Sequence, residues 1–330
     1  MKILFLCSTG EDYLADGILH GLKTIYGADV IDYPKCEPLY KNCPTDSFKR
    51  VRGFGFTLYG LLDDLVVDRW NVLSRLKSGE FDWVVFGNIY RNYALFVDWL
   101  PFLDPKKTIL LDGEDTPGIA PFAGRWWRRS SGWLTPTAHK KFRYFKREWG
   151  PVTLRYRFYK LLPENLCEGW YASMGINRVS FSIPEEKIIK DLTLKTKNFP
   201  SHIVDTELAL KLKSESGSYK FTTEHEYYAD IMASRFGITT KRAGWDCLRH
   251  YEIAANGAVP CFKALDDKPK TCAPHGLDST NSISYRNADE LMKKIEVLSQ
   301  AQYEVLQQNA IDWARNYSTK AVAVRLLENT

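Results

Sequence analysis

Nowhere in this chain of 330 residues does an uninterrupted apolar run reach the ~18 residues that a membrane-spanning helix requires. Cysteine is scarce, odd in number and badly spaced for pairing: the seven, at positions 7, 36, 43, 167, 247, 261 and 272, form no CxxC. That speaks against a disulfide framework or a structural zinc site and fits reduced, mostly buried thiols in a cytoplasmic protein. The six histidines, at 20, 139, 202, 225, 250 and 275, show no ligand spacing. No GxGxxG and no P-loop occurs, so dehydrogenase and NTPase readings have no motif beneath them. Internal repeats, low-complexity tracts and the signatures of known nucleic-acid modules are missing too.

What is present is an ordinary globular composition, 45% hydrophobic and 26% charged, in a chain long enough for two domains. The opening Met1 to Cys7 has too short an apolar run for a leader and is followed by Glu11 and Asp12, so it reads as a buried strand. The net charge is only +5, but its distribution is uneven. From Arg125 to Lys160 the bases Arg125, Arg128, Arg129, Lys140, Lys141, Arg143, Lys146, Arg147, Arg155, Arg157 and Lys160 are opposed by Glu148 alone. Trp126, Trp127, Trp133, Phe142, Tyr144, Phe145 and Trp149 are interleaved with them. The mixture suits peripheral contact with anionic lipid or an anionic acceptor, or else a solvated basic face. No nucleic-acid partner is expected.

Short apolar strands alternate with helical patterns through the first half. Strands are predicted at 2–7, 28–33, 81–86 and 108–111, and helices at 13–26 and 54–76. This pattern predicts a parallel sheet covered on both faces. Ligands of such sheets gather where strands end and helices begin. Three of those ends are polar or glycine-bearing: residues 8–12 with Gly10, Glu11 and Asp12; Gly87-Asn88; and Asp112-Gly113-Glu114-Asp115. Residues 151–200 carry scattered prolines and lose periodicity, and so read as the passage between domains. Beyond them, short strands are predicted at 203–204 and 219–221, a helix at 224–235, a helix at 247–256 stopped by Gly257, and a strand at 258–262. A long amphipathic region at 289–317 is broken near Ser299.

The stretch from 236 to 260 carries the most chemistry. Thr239, Thr240, Lys241 and Arg242 precede a helix N-terminus, where free amides and the helix dipole favour anions. Two cations there neutralise a leaving diphosphate without a metal. Trp245 lies in the same loop, and Asp246 is placed to cap the helix. Glu252 shares a helical face with Leu248 and Ala255, which carries a carboxylate into an apolar surface; its partner is either Arg249 or a pair of ribose hydroxyls. His250 points to another face, and Tyr227-Tyr228 reads as core rather than as a stacking platform.

Glu252-Ile-Ala-Ala-Asn-Gly257-Ala-Val-Pro260 resembles the Glu-x-x-Ala-x-Gly-x-Pro signature of GT-B glycosyltransferases. The wider Gly244-Trp-Asp-Cys-Leu-Arg-His-Tyr-Glu252 block is similar to CgeB-like and family-1-like bacterial enzymes of surface-polysaccharide clusters such as O-antigen and capsule. The resemblance implies an α/β fold of two Rossmann-like domains facing a central cleft. It places an acceptor-side domain at 1–165, a nucleotide-sugar domain at 166–310, and a final helix at 311–330 packing back on the first domain. By the same resemblance Glu252 binds the donor ribose and the Lys241-Arg242 loop its diphosphate. The implied activity is metal-independent transfer from a nucleotide-sugar co-substrate to a glycan or lipid-linked acceptor, with no other cofactor. The sequence departs from retaining members at Gly244, where they carry a second glutamate, and its proline falls one residue late. For an inverting transfer the candidate bases are Asp112, Glu114 and Asp115, with Glu11 and Asp12 as the second choice. A nucleotide-sugar epimerase and a non-catalytic nucleotide-sugar-binding protein are the alternatives.

Overall fold

Along the first strand, Ile3 and Phe5 enter one apolar cluster while Leu4 and Leu6 enter another, so the strand is buried on both faces. The computed structural model describes residues 1–48, 51–115, 119, 138–150, 175–214 and 220–328. In it β1 (Ile3–Leu6), β2 (Val30–Tyr33), β3 (Trp83–Phe86), β4 (Thr108–Asp112), β5 (Arg143–Lys146) and β6 (Ile176–Arg178) form one sheet, ordered β2-β1-β3-β4-β5-β6, with every pair parallel. Helix α1 (Tyr13–Tyr26) covers one face, and Tyr93–Trp99 packs in the cluster on the other. A second parallel sheet, β7 (Phe236–Thr240), β8 (Val259–Lys263) and β9 (Ile283–Tyr285), is ordered β7-β8-β9.

The helix bearing Glu252 spans Leu248–Ala255 and connects β7 to β8. It packs so tightly on β7 that a Cβ on Gly237 would lie 2.4 Å from Ile253 Cγ2. Gly257, at φ 70°, ends it, as the glycine stop predicts. Ser299 caps Gln300–Asn316 through a reciprocal capping box with Gln302, which accounts for the break expected there. The closing helix, Thr319–Glu328, buries residues 319, 322, 323, 326 and 327. It returns to α1, as the final-helix expectation has it: a Cβ on Gly21 would come within 2.0 Å of the Thr319 carbonyl oxygen.

Three expectations are corrected. Residues 54–76 are not a long helix; helix forms only at Val72–Lys77. Gly53, Phe54, Gly55, Thr57 and Gly60 all have positive φ, which breaks helical continuity whatever the hydrophobic spacing. Ile203 is wholly buried beneath Thr206–Lys211, yet 203–204 forms no strand, because so short an apolar pair fits a packed loop equally well. Of the strand expected at 219–221, residue 219 lies outside the described residues and 220–221 are irregular. The first sheet also runs past the boundary expected at residue 165, since β6 pairs with β5.

Most of the basic, aromatic stretch from 125 to 160 lies outside the described residues. Within 138–150, Phe142, Tyr144, Phe145, Lys146, Arg147 and Trp149 are buried and therefore form no part of a lipid-facing surface. Among the described residues, no helix is long and apolar enough to cross a membrane.

Candidate functional site

Both sheets direct their carboxyl ends toward a cleft of about 320 Å³. From the second half it is lined by Thr240, Arg242, Asp246, Arg249 and Glu252; Tyr13, Phe56 and Asp115 face them from the first.

Glu252 is only 8% exposed, and each of its oxygens already has a partner. Oε1 accepts from Thr57 Oγ1 at 2.5 Å and Oε2 from Tyr227 OH at 2.6 Å. The expected pairing with Arg249 takes another form: the Arg249 guanidinium lies over the Tyr227 ring, 5.9 Å from its centroid. Each carboxylate oxygen retains a further lone-pair direction for a ligand hydroxyl.

Thr57 comes from the first half and is strained, at φ 79°, a value uncommon for a β-branched residue. Such strain costs on the order of 1–3 kcal/mol. Three contacts to the second half hold it: the bond to Glu252, a 2.7 Å bond between Thr57 Oγ1 and Tyr228 OH, and Thr57 N donating to Glu224 Oε1 at 2.7 Å. The Tyr227-Tyr228 pair is thus buried as core while its hydroxyls also organise the site.

The loop from Lys241 to Cys247 joins β7 to the Glu252 helix. Lys241 and Arg242 are exposed, and Lys241 Nζ sits 4.7 Å from the Trp245 ring centroid. Asp246 does not cap the helix. Cys247 occupies the cap position with no side-chain capping bond, while Asp246 accepts from Phe181 N at 2.8 Å and from Tyr251 OH at 2.9 Å. Burial pushes its carboxyl up to about 6, against the opposing pull of Arg147. His250 faces the core, bridging Thr239 Oγ1 and the Trp245 carbonyl, and burial pushes its imidazole down to about 4.

On the opposite wall the candidate acids separate. Asp112 is fully buried, accepting from Tyr144 OH at 2.5 Å and Lys146 Nζ at 3.0 Å. That correction removes it from any acceptor's reach; it is a buried structural ion pair at the carboxyl end of β4, inside the sheet. Asn88 joins two loops, donating to Asp12 Oδ2 at 2.7 Å and to Glu114 Oε1 at 3.2 Å. Asp12 also caps α1 through Ala15 N, and burial raises its pKa. Gly87 is fixed by packing, since a Cβ there would lie 2.8 Å from Phe5 Cε1. Gly10, at φ 83°, and the Glu11 carbonyl lie beside Arg91. Asp115 alone of the acids from 112 to 115 lines the cleft, paired with Arg147.

Arg147 and Glu148 were not singled out as site residues from the sequence. Arg147 is buried; it donates to Glu148 Oε1 at 2.8 Å, to the Gly113 carbonyl at 3.0 Å and to the Asp246 carbonyl at 3.2 Å, and it pairs with Asp115. Burial opposes its charge, but Glu148, Asp246 and Asp115 outweigh it and raise its pKa. Glu148 Oε1 in turn accepts from Asp246 N at 2.9 Å. These two residues tie the end of β4 to the loop before the Glu252 helix. Their only sequence signal was Glu148 standing alone among bases.

No protein-family model and no curated protein sequence matches the chain. Among solved structures it is similar to Anabaena Alr3699/HepE in complex with UDP and glucose, at 10% identity and TM-score 0.51, over 100% of this chain and 99% of that one. The same protein in complex with UDP-glucose matches at 9% identity and TM-score 0.50, again over 100% and 99%. In complex with UDP it matches at 8% identity and TM-score 0.51, with the same coverage. Two parallel Rossmann-like sheets, a cleft at their carboxyl ends and a closing helix returned to α1 make this the GT-B fold.

Proposed function

We propose that the chain is a glycosyltransferase that takes a sugar from a nucleotide-sugar donor bound in the Glu252 cleft. The observation that carries this reading is a buried carboxylate in the second turn of a helix whose preceding loop bears Lys241 and Arg242. In the proposed complex the ribose hydroxyls bond Glu252, with Arg249 and Tyr227 flanking them. The diphosphate sits against Thr240, Lys241, Arg242 and the first-turn amides, where cations and the helix dipole stabilise the leaving group. Trp245 supports Lys241, and Asp246 holds the loop to Phe181 and Tyr251.

The acceptor, a glycan or lipid-linked hydroxyl, enters from the first half. Asp115 is the proposed general base, with Glu114 behind it and the Asp12-Asn88 pair shaping the floor. UDP-glucose as donor and UDP as nucleoside diphosphate, both found with Anabaena HepE, are the first ligands to try. The proposed setting is surface-polysaccharide assembly at the cytoplasmic membrane face.

A thermal-shift series with nucleoside diphosphates and nucleotide sugars tests this, because a ligand of the folded state raises its stability with concentration. One nucleoside diphosphate should stabilise the protein with and without EDTA, and the effect should vanish in Glu252→Ala and weaken in Lys241→Ala. Product analysis then separates the activities: sugar on an acceptor supports transfer, whereas an epimerised donor or unchanged bound donor rejects it.

A further inference from the structure

A second cavity, of about 290 Å³, lies where the chain crosses twice between its halves. The first crossing leaves β6 through Val179 and Ser180, and the second runs from Tyr317 to Thr319. They pair directly, Ile183 N donating to Tyr317 O at 3.1 Å and Thr319 N to Ile183 O at 2.9 Å. The polar lining comes from every side: Arg178 and Ser180 from the first crossing, His275 from the second half, and Tyr317 and Arg325 from the return. The rest is an apolar floor from β5 and the closing helix.

The charge in this cavity is one-sided. Among the described residues no carboxylate lines it, and neither Arg178 nor Arg325 has an ion-pair partner. Arg325 Nη2 and His275 Nε2 are both buried without a hydrogen-bond partner. The Arg325 guanidinium lies over Tyr317, 5.0 Å from the ring centroid, which fixes its plane. Burial, then Lys268 and Arg178, push the His275 imidazole down to about 3, which keeps the histidine neutral. A buried guanidinium donor without a partner, as at Arg325 Nη2, is costly to a fold unless a ligand completes it.

We infer that this cavity is a binding site for a phosphate dianion, free or as the monoester of a small metabolite, gripped by Arg178 and Arg325, with Tyr317 OH donating a further hydrogen bond. Guanidinium forks match phosphate oxygens, and two full positive charges favour a dianion over a single carboxylate. The volume holds a phosphate with a small body attached but is tight for a nucleotide sugar. Because groups from both crossings meet the same ligand, its binding fixes one arrangement of the two halves.

The test is thermal unfolding of the full chain against inorganic phosphate, with chloride at matched ionic strength as the control and glucose 1-phosphate as a second arm. Phosphate should raise the melting temperature saturably, and chloride should not. The rise should disappear in Arg325→Gln and in Arg178→Gln while persisting in Glu252→Ala and Lys241→Ala. The Arg178 side chain is exposed, so its variant keeps the test decisive should Arg325→Gln fail to fold. Glucose 1-phosphate acting at a tenfold lower concentration would identify the monoester as the ligand; equal potency would identify the free anion. An equal rise in chloride, persistence in both arginine variants, or loss confined to Lys241→Ala would overturn the site. None of these readings depends on whether the Glu252 cleft binds a nucleotide.

Discussion

At the scale of single residues, the chemistry of the cleft rests on carboxylates in unlike surroundings. Glu252 keeps one partner on each oxygen, so it stays ordered while still able to accept two more hydroxyls. Glu252→Gln preserves its shape but turns a charged acceptor into a neutral one. Hydrogen bonds to charged groups are worth about 1.5–3 kcal/mol, so nucleoside diphosphate binding should weaken about 10- to 100-fold by calorimetry. Asp246 behaves differently. Its carboxyl is pushed from 3.8 up to about 6 by burial, so the folded state holds a proton that the unfolded chain has lost. That contribution is complete below pH 3.8 and is lost as pH rises through about 6. Asp246→Asn should therefore lose less stability than the parent across that window, by on the order of 2–3 kcal/mol, in urea unfolding at a series of pH values.

At the scale of elements, close packing governs. α1 and the closing helix approach so tightly at Gly21 that a methyl group meets the rigid Thr319 carbonyl. Gly21→Ala should cost about 1–3 kcal/mol, read as a lower urea midpoint with unchanged m, because neither backbone can yield locally. The same scale shows what a lone sequence reveals. Periodicity placed α1, four strands of the first sheet, β8 of the second and the Glu252 helix to within a few residues, because each buries a face of fixed period, but it missed β5, β6, β7 and β9. It failed at 54–76, where hydrophobic spacing imitates a helix but a run of left-handed residues forbids one. The cost fell on the site, since Thr57 belongs to that run. Lys146 and Arg147 were legible only as charge, and composition carries no sign of which cations a fold will bury. The cationic loop and Glu252 were legible because a helix start and a face-sharing carboxylate are local patterns; their partners across the cleft are not.

At the scale of the molecule, Arg147 ties the halves through the Asp246 carbonyl and through Glu148, which holds the Asp246 amide. Replacing it with Met would leave Glu148, itself buried, beside Asp115 with no cation between them. Breaking a buried pair on one side costs about 3–5 kcal/mol, so Arg147→Met should unfold at markedly lower urea, and its radius of gyration by X-ray scattering should exceed the parent's.

The return of the closing helix bears on how the chain comes off the ribosome. Val322, Ala323, Leu326 and Leu327 share a core cluster with Leu14, Ile18 and Leu22, yet they are synthesised some three hundred residues later. During translation that face of α1 must stay uncovered, or be shielded by a chaperone, until the second half has been made. Vectorial completion of the N-terminal half, the usual order for two-domain chains, is denied to this one.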